Sequence, residues 1–358
     1  MKNILIVTGG SGGHVVPSIS FFEHLKNKFS VNMVSDLRGS KYINSGKFKY
    51  KLIDVPNLFL KPYLLPINIF KYFLNIFQSI SFIKKNKINI LISTGGYMTF
   101  PFCMAAFILK KKIYLFEPNR VLGRSNRLAL KFSTKIICYD ENIKNFPAKY
   151  SSKKVIVEPI IKKEIYELKK NSINLKKETK KILIIGGSQG ASFFDENITD
   201  LIIEISKKQK LEVTQQISNY SNLTSIKNKY DKLNIDHKFI KFTDDTYELY
   251  NGIDLAITRG GASTLSELSF LNIPFISIPL PTAKDNHQFY NSEYYYKKNS
   301  CWLINQSEFQ IDKITKMILE IFNNYQNYNE KIENLKKITK KNTWNNINNK
   351  IIEIIDEN

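Results

Sequence analysis

Short apolar runs recur along the chain, and several of them end at a pair of glycines. Residues 2–7, KNILIV, lead into Gly9 and Gly10, and residues 181–185 lead into Gly186 and Gly187 in the same way. Apolar runs of this length, alternating with helical stretches, are typical of buried parallel strands. Further strands are predicted at residues 88–94, 112–117, 211–217, 254–258 and 274–279. The sequence therefore predicts an α/β fold with two doubly wound, Rossmann-like domains.

This repeated pattern divides the 358 residues into two domains and a final helix. We expect an N-terminal domain over residues 1–160, a second domain over 161–340 and a helix over 341–358. Residues 161–181 are rich in Lys and contain no Gly, which indicates a linker or a solvated helix. Apolar residues near the end of the chain recur at helical spacing and predict a stripe that packs on the N-terminal domain. They are Trp344, Ile347, Ile351, Ile354 and Ile355.

The most apolar stretch covers residues 64–83, LLPINIFKYFLNIFQSISFI. Asn68, Lys71, Asn75 and Gln78 interrupt it, whereas a membrane-spanning helix needs about 20 mostly apolar residues. Two hypotheses remain. The helix packs into the core of the first domain, or it lies in a membrane interface with the neighbouring lysines near anionic lipid.

Composition narrows the possible functions. The net charge is +21, but the basic excess is spread over many surface-type segments. The aromatic residues lie mostly within apolar runs and are not interleaved with arginines, so we expect no nucleic-acid partner. Cys103, Cys138 and Cys301 are too far apart for a zinc site or a disulfide framework. Asp244 and Asp245 have no His or Cys cluster beside them, and we interpret them as a loop or helix-cap feature. No metal and no cofactor is expected, and the cysteine usage suggests a reducing compartment.

Four glycine clusters follow predicted strands, at residues 9–13, 95–97, 186–190 and 260–264. A glycine turn between a strand and a helix presents backbone N–H groups and the positive end of the helix dipole to an anion. None of the four has the Gly-Lys-Ser/Thr ending of a P-loop or a complete dinucleotide fingerprint, which disfavours ATP hydrolysis and hydride transfer. In open α/β sheets ligands bind at the carboxyl ends of the strands. We therefore expect a cleft lined by two sets of phosphate-binding loops.

Six motifs carry a resemblance to a known family. They are GGSGGH (9–14), GGY (95–97), GGSQGA (186–191), FTDD (242–245), RGGASTLSEL (259–268) and DNHQFYNS (285–292). In this order the chain resembles the MurG family, the N-acetylglucosaminyltransferases of peptidoglycan synthesis. The resemblance implies a GT-B glycosyltransferase that transfers N-acetylglucosamine, with inversion and without a metal, from UDP-N-acetylglucosamine. The implied acceptor is the 4-hydroxyl of an N-acetylmuramoyl-pentapeptide carried on a polyprenyl diphosphate.

The resemblance also implies a cellular location and a separate substrate for each domain. The first domain would bind the lipid acceptor and associate with the cytoplasmic face of the inner membrane, and the second would bind the UDP-sugar. An inverting displacement needs a base for the acceptor hydroxyl and stabilisation of the departing diphosphate. His14 fits the base, because the positive end of a helix dipole disfavours a charged ring. The alternative is a histidine that caps the helix or contacts the diphosphate.

Other site residues follow from matching motif positions. The acceptor diphosphate is expected at Gly10, Gly12, Gly13, Gly95, Gly96 and Tyr97. The donor is expected at Ser11, Gly12, Gly13, Asn119, Ser188, Thr243, Ala262, Ser263, Thr264, Leu265, Ser266, Glu267, Gln288 and Asn291. Within this set Glu267 matches the ribose-binding glutamate, Thr243 meets the uracil edge through its backbone, and the amides of Gln288 and Asn291 read sugar hydroxyls.

Some positions depart from the family pattern. Its His-Glu-Gln-Asn tract reads Phe116-Glu117-Pro118-Asn119, and its arginine near the nucleotide aligns with Ile161, beside Lys162. Lys162 could supply a charge there, but not the arginine fork. Two alternatives therefore stay open: a related UDP-sugar-dependent glycolipid glycosyltransferase, and a catalytically silent nucleotide-sugar-binding protein.

Overall fold

Two parallel β-sheets organise the chain, one in each of two units. A computed structural model describes residues 1–55, 65–168, 170, 177–187, 192–217, 220–241 and 246–357, with backbone only at residues 65, 66, 220, 246 and 247. The first unit comprises Met1–Lys163 and Thr343–Asn358, and the second comprises Glu164–Asn342.

The first unit contains a seven-stranded sheet in the order β3-β2-β1-β4-β5-β6-β7, and every strand pair in it is parallel. Its strands are β1 Asn3–Val7, β2 Ser30–Ser35, β3 Lys51–Leu52, β4 Ile90–Ser93, β5 Lys112–Glu117, β6 Lys135–Cys138 and β7 Lys154–Ile156. Its helices are α1 Gly12–Leu25, α2 Leu37–Ser40, α3 Leu65–Lys85, α4 Thr99–Ile108 and α5 Arg124–Ala129. The strand order reverses between β1 and β4, the place where open α/β sheets bind ligands.

The second unit contains a six-stranded parallel sheet in the order β10-β9-β8-β11-β12-β13, which reverses between β8 and β11. Its strands are β8 Lys180–Ile185, β9 Leu211–Gln216, β10 Asp236–Ile240, β11 Leu255–Thr258, β12 Phe275–Ser277 and β13 Trp302–Leu303. Its helices are α6 Lys163–Glu167, which begins at the unit boundary, α7 Thr199–Ser206, α8 Leu223–Lys232, α9 Ala262–Phe270, α10 His287–Lys297, α11 Ile311–Asn323 and α12 Tyr325–Thr339. Short helical turns occupy Leu130–Phe132, Ala148–Lys153, Phe194–Ile198, Tyr220–Asn222, Thr246–Tyr250, Lys284–Asn286 and Gln306–Glu308.

The predicted α/β class and the seven predicted strands are confirmed. Strands covered on both faces carry apolar residues without alternation. In β1, Ile4, Leu5, Ile6 and Val7 are all 0% exposed, which accounts for the continuous run.

The apolar stretch at 64–83 forms α3, apart from Leu64, which lies outside the described residues. Asn75, Ser79 and Ile83 recur at helical spacing and are buried, and Ser79 Oγ donates to the carbonyl of Asn75 at 2.7 Å. The opposite side exposes Phe70 and Phe77, at 65% and 67%. The helix thus packs along one face and presents an apolar face outward. Across the described residues, no helix is both long and apolar enough to cross a membrane.

The final helix, α13 Trp344–Asp356, belongs to the first unit and packs against α1. His24 stacks on Trp344 with ring centroids 3.8 Å apart, and Asp356 forms ion pairs with Lys2 and Lys28. A pocket of about 120 Å³ lies beside this stack. His24 is ten residues beyond His14, or about 15 Å along α1, so the pocket is remote from the glycine loops.

Candidate functional site

Two glycine loops of the first unit leave neighbouring strands at one edge of the sheet. β1 and β4 pair in parallel with Val7 opposite Ser93, so the loops that follow them start side by side. His14, in the first turn of α1, places its ring against Gly95: a Cβ atom added there would lie 3.0 Å from both Nδ1 and Cε1. Gly95 also has φ +92°, a backbone conformation that other residues rarely adopt. The two predicted glycine motifs therefore meet at the imidazole.

The hydrogen bond of His14 defines which ring nitrogen carries its proton. Nδ1 lies 2.9 Å from the carbonyl oxygen of Thr94. A carbonyl oxygen can only accept, so Nδ1 carries the hydrogen, and the lone pair of the neutral ring is on Nε2. The ring is therefore oriented by the β4 loop and can accept a proton at Nε2.

Two residues predicted for the acceptor diphosphate contact a buried carboxylate. Asp36, at the end of β2, is 1% exposed and accepts the N–H of Gly10 at 2.9 Å through Oδ1. The Tyr97 hydroxyl donates to Asp36 Oδ2 at 2.6 Å. Gly12 is buried and Gly13 is exposed in the first turn of α1, and Ser11 is the N-cap residue of the helix. Sequence reasoning missed Asp36, whose only signal is an acidic residue at the end of an apolar strand.

A second buried carboxylate orients Asn119. Glu117 Oε1 accepts the side-chain amide of Asn119 at 2.9 Å and its backbone N–H at 3.2 Å. Glu117 Oε2 accepts the N–H of Gly123 at 2.8 Å and the amide of Asn126 at 3.0 Å. Phe116, which departs from the family tract, is 0% exposed and packs edge-on against Phe21. The departure thus lies in the core, while the chain keeps an ordered amide at position 119.

In the second unit, a reciprocal pair of hydrogen bonds fixes the glycine turn after β8. Gly187 N–H donates to the Gln216 side-chain oxygen at 3.1 Å, and the Gln216 amide donates back to the Gly187 carbonyl at 2.9 Å. Gly187 has φ +80°, which suits glycine. Ser188 and Thr243, two predicted donor residues, lie outside the described residues. Gln216 was missed by sequence reasoning because it comes from the neighbouring strand.

Helix α9 begins directly after the glycine pair that follows β11, with Gly261 as its N-cap residue. Ala262, Ser263 and Thr264 form its first turn and are partly exposed, so their N–H groups belong to the unpaired first turn of a helix. Leu265 is 0% and Ser266 4% exposed. These last two side chains face the interior, and the N–H of Leu265 already donates to the carbonyl of Gly261 at 3.0 Å.

Glu267, the predicted ribose-binding residue, is held by a tyrosine. Its side chain is 5% exposed, and Oε2 accepts the hydroxyl of Tyr250 at 2.7 Å. Burial, followed by the neighbouring Glu267 carboxyl, holds the pKa of Tyr250 well above its ordinary value. The phenol therefore remains a donor to the carboxyl. Tyr250 is a further residue that sequence reasoning missed.

The backbone of helix α10 packs closely against the backbone of the glycine pair that precedes α9. A Cβ atom added at Gly260 would lie 2.1 Å from the carbonyl oxygen of Gln288, which leaves room only for glycine. Asn291 donates its side-chain amide to the Gly260 carbonyl at 3.0 Å, and the Gln288 side-chain oxygen accepts the N–H of Leu280 at 3.0 Å. The two predicted sugar-reading amides are therefore brought to the N-terminus of α9 and oriented there.

Arg259 is a buried cation at the same turn. It is 4% exposed, donates to the Ile278 carbonyl at 3.0 Å and to Gln306 Oε1 at 2.8 Å, and lies over the Phe194 ring. Burial lowers its pKa to about 10. This residue therefore ties the β11 turn to the β12 loop and keeps its positive charge at neutral pH.

Ile161 and Lys162, at the position of the family arginine, are 2% and 8% exposed. Both fall within the first unit. In the part of the chain that the structure describes, no group of three or more His, Cys, Asp or Glu side chains could hold a metal ion.

Comparisons with known proteins match both units. Residues 4–138 match the glycosyltransferase family 28 N-terminal domain, and residues 181–347 match the glycosyltransferase family 28 C-terminal domain. A protein of Pelagibacter ubique, named UDP-N-acetylglucosamine--N-acetylmuramyl-(pentapeptide) pyrophosphoryl-undecaprenol N-acetylglucosamine transferase, is 46% identical over 358 residues, which is 100% of this chain and 99% of that protein. A Rickettsia bellii protein with the same name is 35% identical over 337 residues, covering 90% of this chain and 92% of its own length.

Solved structures share the fold. The crystal structure of Acinetobacter baumannii MurG superposes with a TM-score of 0.75 at 20% identity and covers 100% of both chains. A glycosyltransferase of Phytolacca americana, complexed with UDP-2fluoro-glucose and pterostilbene, superposes with a TM-score of 0.69 at 11% identity, covering 99% of this chain and 98% of that one.

Proposed function

The chain belongs to glycosyltransferase family 28, and on that premise we propose that it transfers N-acetylglucosamine from UDP-N-acetylglucosamine to a lipid-linked muramyl-pentapeptide. The reaction forms the disaccharide lipid precursor of peptidoglycan. The observation that carries this proposal is the identity with the Pelagibacter ubique transferase along the whole chain. The acceptor atom is the 4-hydroxyl of the N-acetylmuramoyl sugar on a polyprenyl diphosphate.

In this reaction His14 is the base. The 4-hydroxyl oxygen attacks C1 of N-acetylglucosamine, the bond between C1 and the UDP oxygen breaks, and the configuration at C1 inverts. The hydroxyl proton passes to Nε2, whose lone pair is defined by the hydrogen bond between Nδ1 and Thr94. UDP leaves with the electron pair of the broken bond. No covalent intermediate with the protein is required.

The second unit binds the donor. The first N–H groups of α9 and its dipole stabilise the negative charge that grows on the departing diphosphate. Glu267 binds the ribose hydroxyls while Tyr250 orients its carboxyl group. Gln288 and Asn291 contact the sugar hydroxyls, because an amide both donates and accepts without a charge. In the first unit, Asn119 is a further donor-binding residue, and Glu117 orients its amide.

The apolar face of α3 is the surface that meets the membrane. This face is defined by Ile67, Phe70, Phe73, Leu74 and Phe77, all between 44% and 67% exposed. Lys84 and Lys85 in the last turn of the helix would lie near anionic headgroups. The protein is then a peripheral enzyme of the cytoplasmic face of the inner membrane. Sedimentation with vesicles that contain anionic phospholipid tests this: replacing Phe70, Phe73 and Phe77 by Ser should weaken binding, and unchanged binding would contradict it.

Transfer of labelled N-acetylglucosamine to two acceptors tests the proposed activity. One acceptor is a short-chain muramyl-pentapeptide diphosphate lipid, the other a diacylglycerol lipid, both without added metal. Label on the first supports the proposal, and label on the second alone would establish the glycolipid alternative. UDP should raise the melting temperature whereas DNA should not, since only a ligand of the native state stabilises it. A folded chain that binds UDP and labels neither acceptor would be a silent nucleotide-sugar-binding protein.

A further inference from the structure

One buried carboxylate, the N-cap residue of α2, joins the first turn of that helix to the loops after β1 and β4 at the carboxyl edge of the first sheet. Asp36 Oδ1 accepts the N–H of Gly10 at 2.9 Å and the N–H of Gly39 at 2.7 Å, and Oδ2 accepts the hydroxyl of Tyr97 at 2.6 Å. These donors follow β1, β2 and β4, which are neighbours in the sheet. From its position after β2, the carboxylate therefore contacts the loop after β1 and also reaches the loop after β4.

Gly9 and Gly39 leave room for this carboxylate and, closer still, for Met98 Cγ and Ser35 Oγ respectively. A Cβ atom at Gly9 would lie 2.8 Å from Asp36 Oδ1, and one at Gly39 would lie 2.9 Å from the same oxygen. Both distances are below what real Cβ contacts show. Asp36 forms no ion pair within the described part of the chain, so its buried charge is balanced by these three donors.

We propose that Asp36 is a positioning residue for the acceptor half of the reaction, because it fixes the β1 and β4 loops relative to His14. This inference rests on the proposed function. One route runs from Asp36 through Gly10 to the start of α1, on which His14 lies. The other runs through Tyr97 to the Gly95–Gly96 turn, against which the imidazole packs.

The same contacts decide which groups can meet the acceptor diphosphate. The single N–H of Gly10 and the single O–H of Tyr97 are already donated to Asp36. Burial, then the hydrogen bond to Asp36, raises the pKa of Tyr97, so its hydroxyl stays protonated at neutral pH. The N–H groups of Gly12 and Gly13 in the first turn of α1 are then the donors for phosphate, and Gly10 and Tyr97 act through Asp36.

Kinetics of three variants in the full chain test this role. Asp36→Ala leaves three donors without their acceptor, and two of them, the N–H groups of Gly10 and Gly39, are buried. The KM for the lipid acceptor should rise about tenfold while the KM for UDP-N-acetylglucosamine stays within about twofold. Tyr97→Phe removes only the contact to the β4 loop and should give a smaller rise. Asp36→Asn should restore the acceptor KM to within about threefold, since its oxygen accepts both N–H groups and its amide donates to Tyr97.

A matched control separates positioning from general stability. Asp254, in the second unit, is also a buried carboxylate, 5% exposed, that accepts a backbone N–H, that of Lys181, at 2.9 Å. Asp254→Asn should lower the melting temperature without changing the acceptor KM. Hydrogen–deuterium exchange should rise at residues 8–14 and 94–98 in Asp36→Ala and at neither segment in Asp254→Asn.

Each outcome decides the inference. The inference is overturned if Asp36→Ala has an unchanged acceptor KM, or if Asp36→Asn is as impaired as Asp36→Ala. In either case, transfer by the wild-type chain would still support the proposed function. A wild-type chain that transfers nothing overturns the proposed function and the inference with it. Should Asp36→Ala not fold, Tyr97→Phe carries the test, and a wild-type acceptor KM in that variant overturns the positioning role.

Discussion

The contact between Gly260 and α10 gives the sharpest prediction from packing. A methyl group at position 260 would lie 2.1 Å from the Gln288 carbonyl oxygen and 2.6 Å from Ser292 Oγ. Ordinary contacts begin near 3.4 Å, so α10 must move by about 1 Å or more to admit Gly260→Ala. That movement also breaks the 3.0 Å hydrogen bond from Asn291 to the Gly260 carbonyl.

Together these costs amount to about 3 kcal/mol, from overpacking and one lost hydrogen bond. Since α10 carries Gln288, the KM for UDP-N-acetylglucosamine should rise along with the loss of stability. Thermal unfolding with and without UDP, followed by donor kinetics, measures both effects.

The neighbouring glycine supplies the control for stability. A Cβ atom at Gly261 would come no closer than 4.0 Å to any atom, that atom being Thr264 Oγ1, and Gly261 has φ −71°. Gly261→Ala should therefore cost less than about 1 kcal/mol, the scale of a helix-cap change. A Gly260→Ala protein with wild-type stability and donor KM would refute the packing argument. Equal damage from both substitutions would show that glycine flexibility, not the contact with α10, matters.

Three further predictions address separate parts of the molecule. Gly13→Ala should stabilise the protein by about 0.5–1 kcal/mol, because position 13 is helical and has space for a methyl group. The same methyl group would occupy the phosphate site, so the KM for the acceptor should rise. A loss of stability or an unchanged acceptor KM would contradict this. Tyr250→Phe should raise the donor KM about tenfold by removing the donor to Glu267, and a wild-type donor KM would argue against that role. Burial lowers the pKa of His24 to about 4, whereas the unfolded chain binds this proton near pH 6.5. As the pH is lowered from 6.5 to about 4, the free energy of unfolding should therefore fall by about 3 kcal/mol. Chemical denaturation should show this fall in wild type and not in His24→Gln.

Much of the framework could be predicted because patterns of neighbouring residues determine its strands and glycine turns. Parallel strands covered on both faces require continuous apolar runs, and β1 and β8 show such runs shortly before their glycine turns. Glycines with positive φ, such as Gly95 and Gly187, occupy loops whose geometry demands them. The helix at 64–83 was also predictable, although its polar Asn75 packs inward and its phenylalanines face outward.

The groups that orient the site could not be predicted, because the sheet order brings them together from distant positions. Asp36 lies 26 residues from Gly10 and 61 from Tyr97, and Gln216 lies 29 residues from Gly187. No local pattern distinguishes such a buried polar residue from one at the surface. Only the order of the strands shows that each lies beside a glycine loop.

The role of His14 as the base is the central claim, and turnover under donor and acceptor saturation tests it most directly. We would compare wild type with His14→Ala and measure UDP affinity in both by calorimetry. In His14→Ala, turnover should fall by about 10²–10⁴-fold, the contribution of a positioned base, while UDP affinity should be unchanged. A His14→Ala protein that turns over at close to the wild-type rate would contradict it.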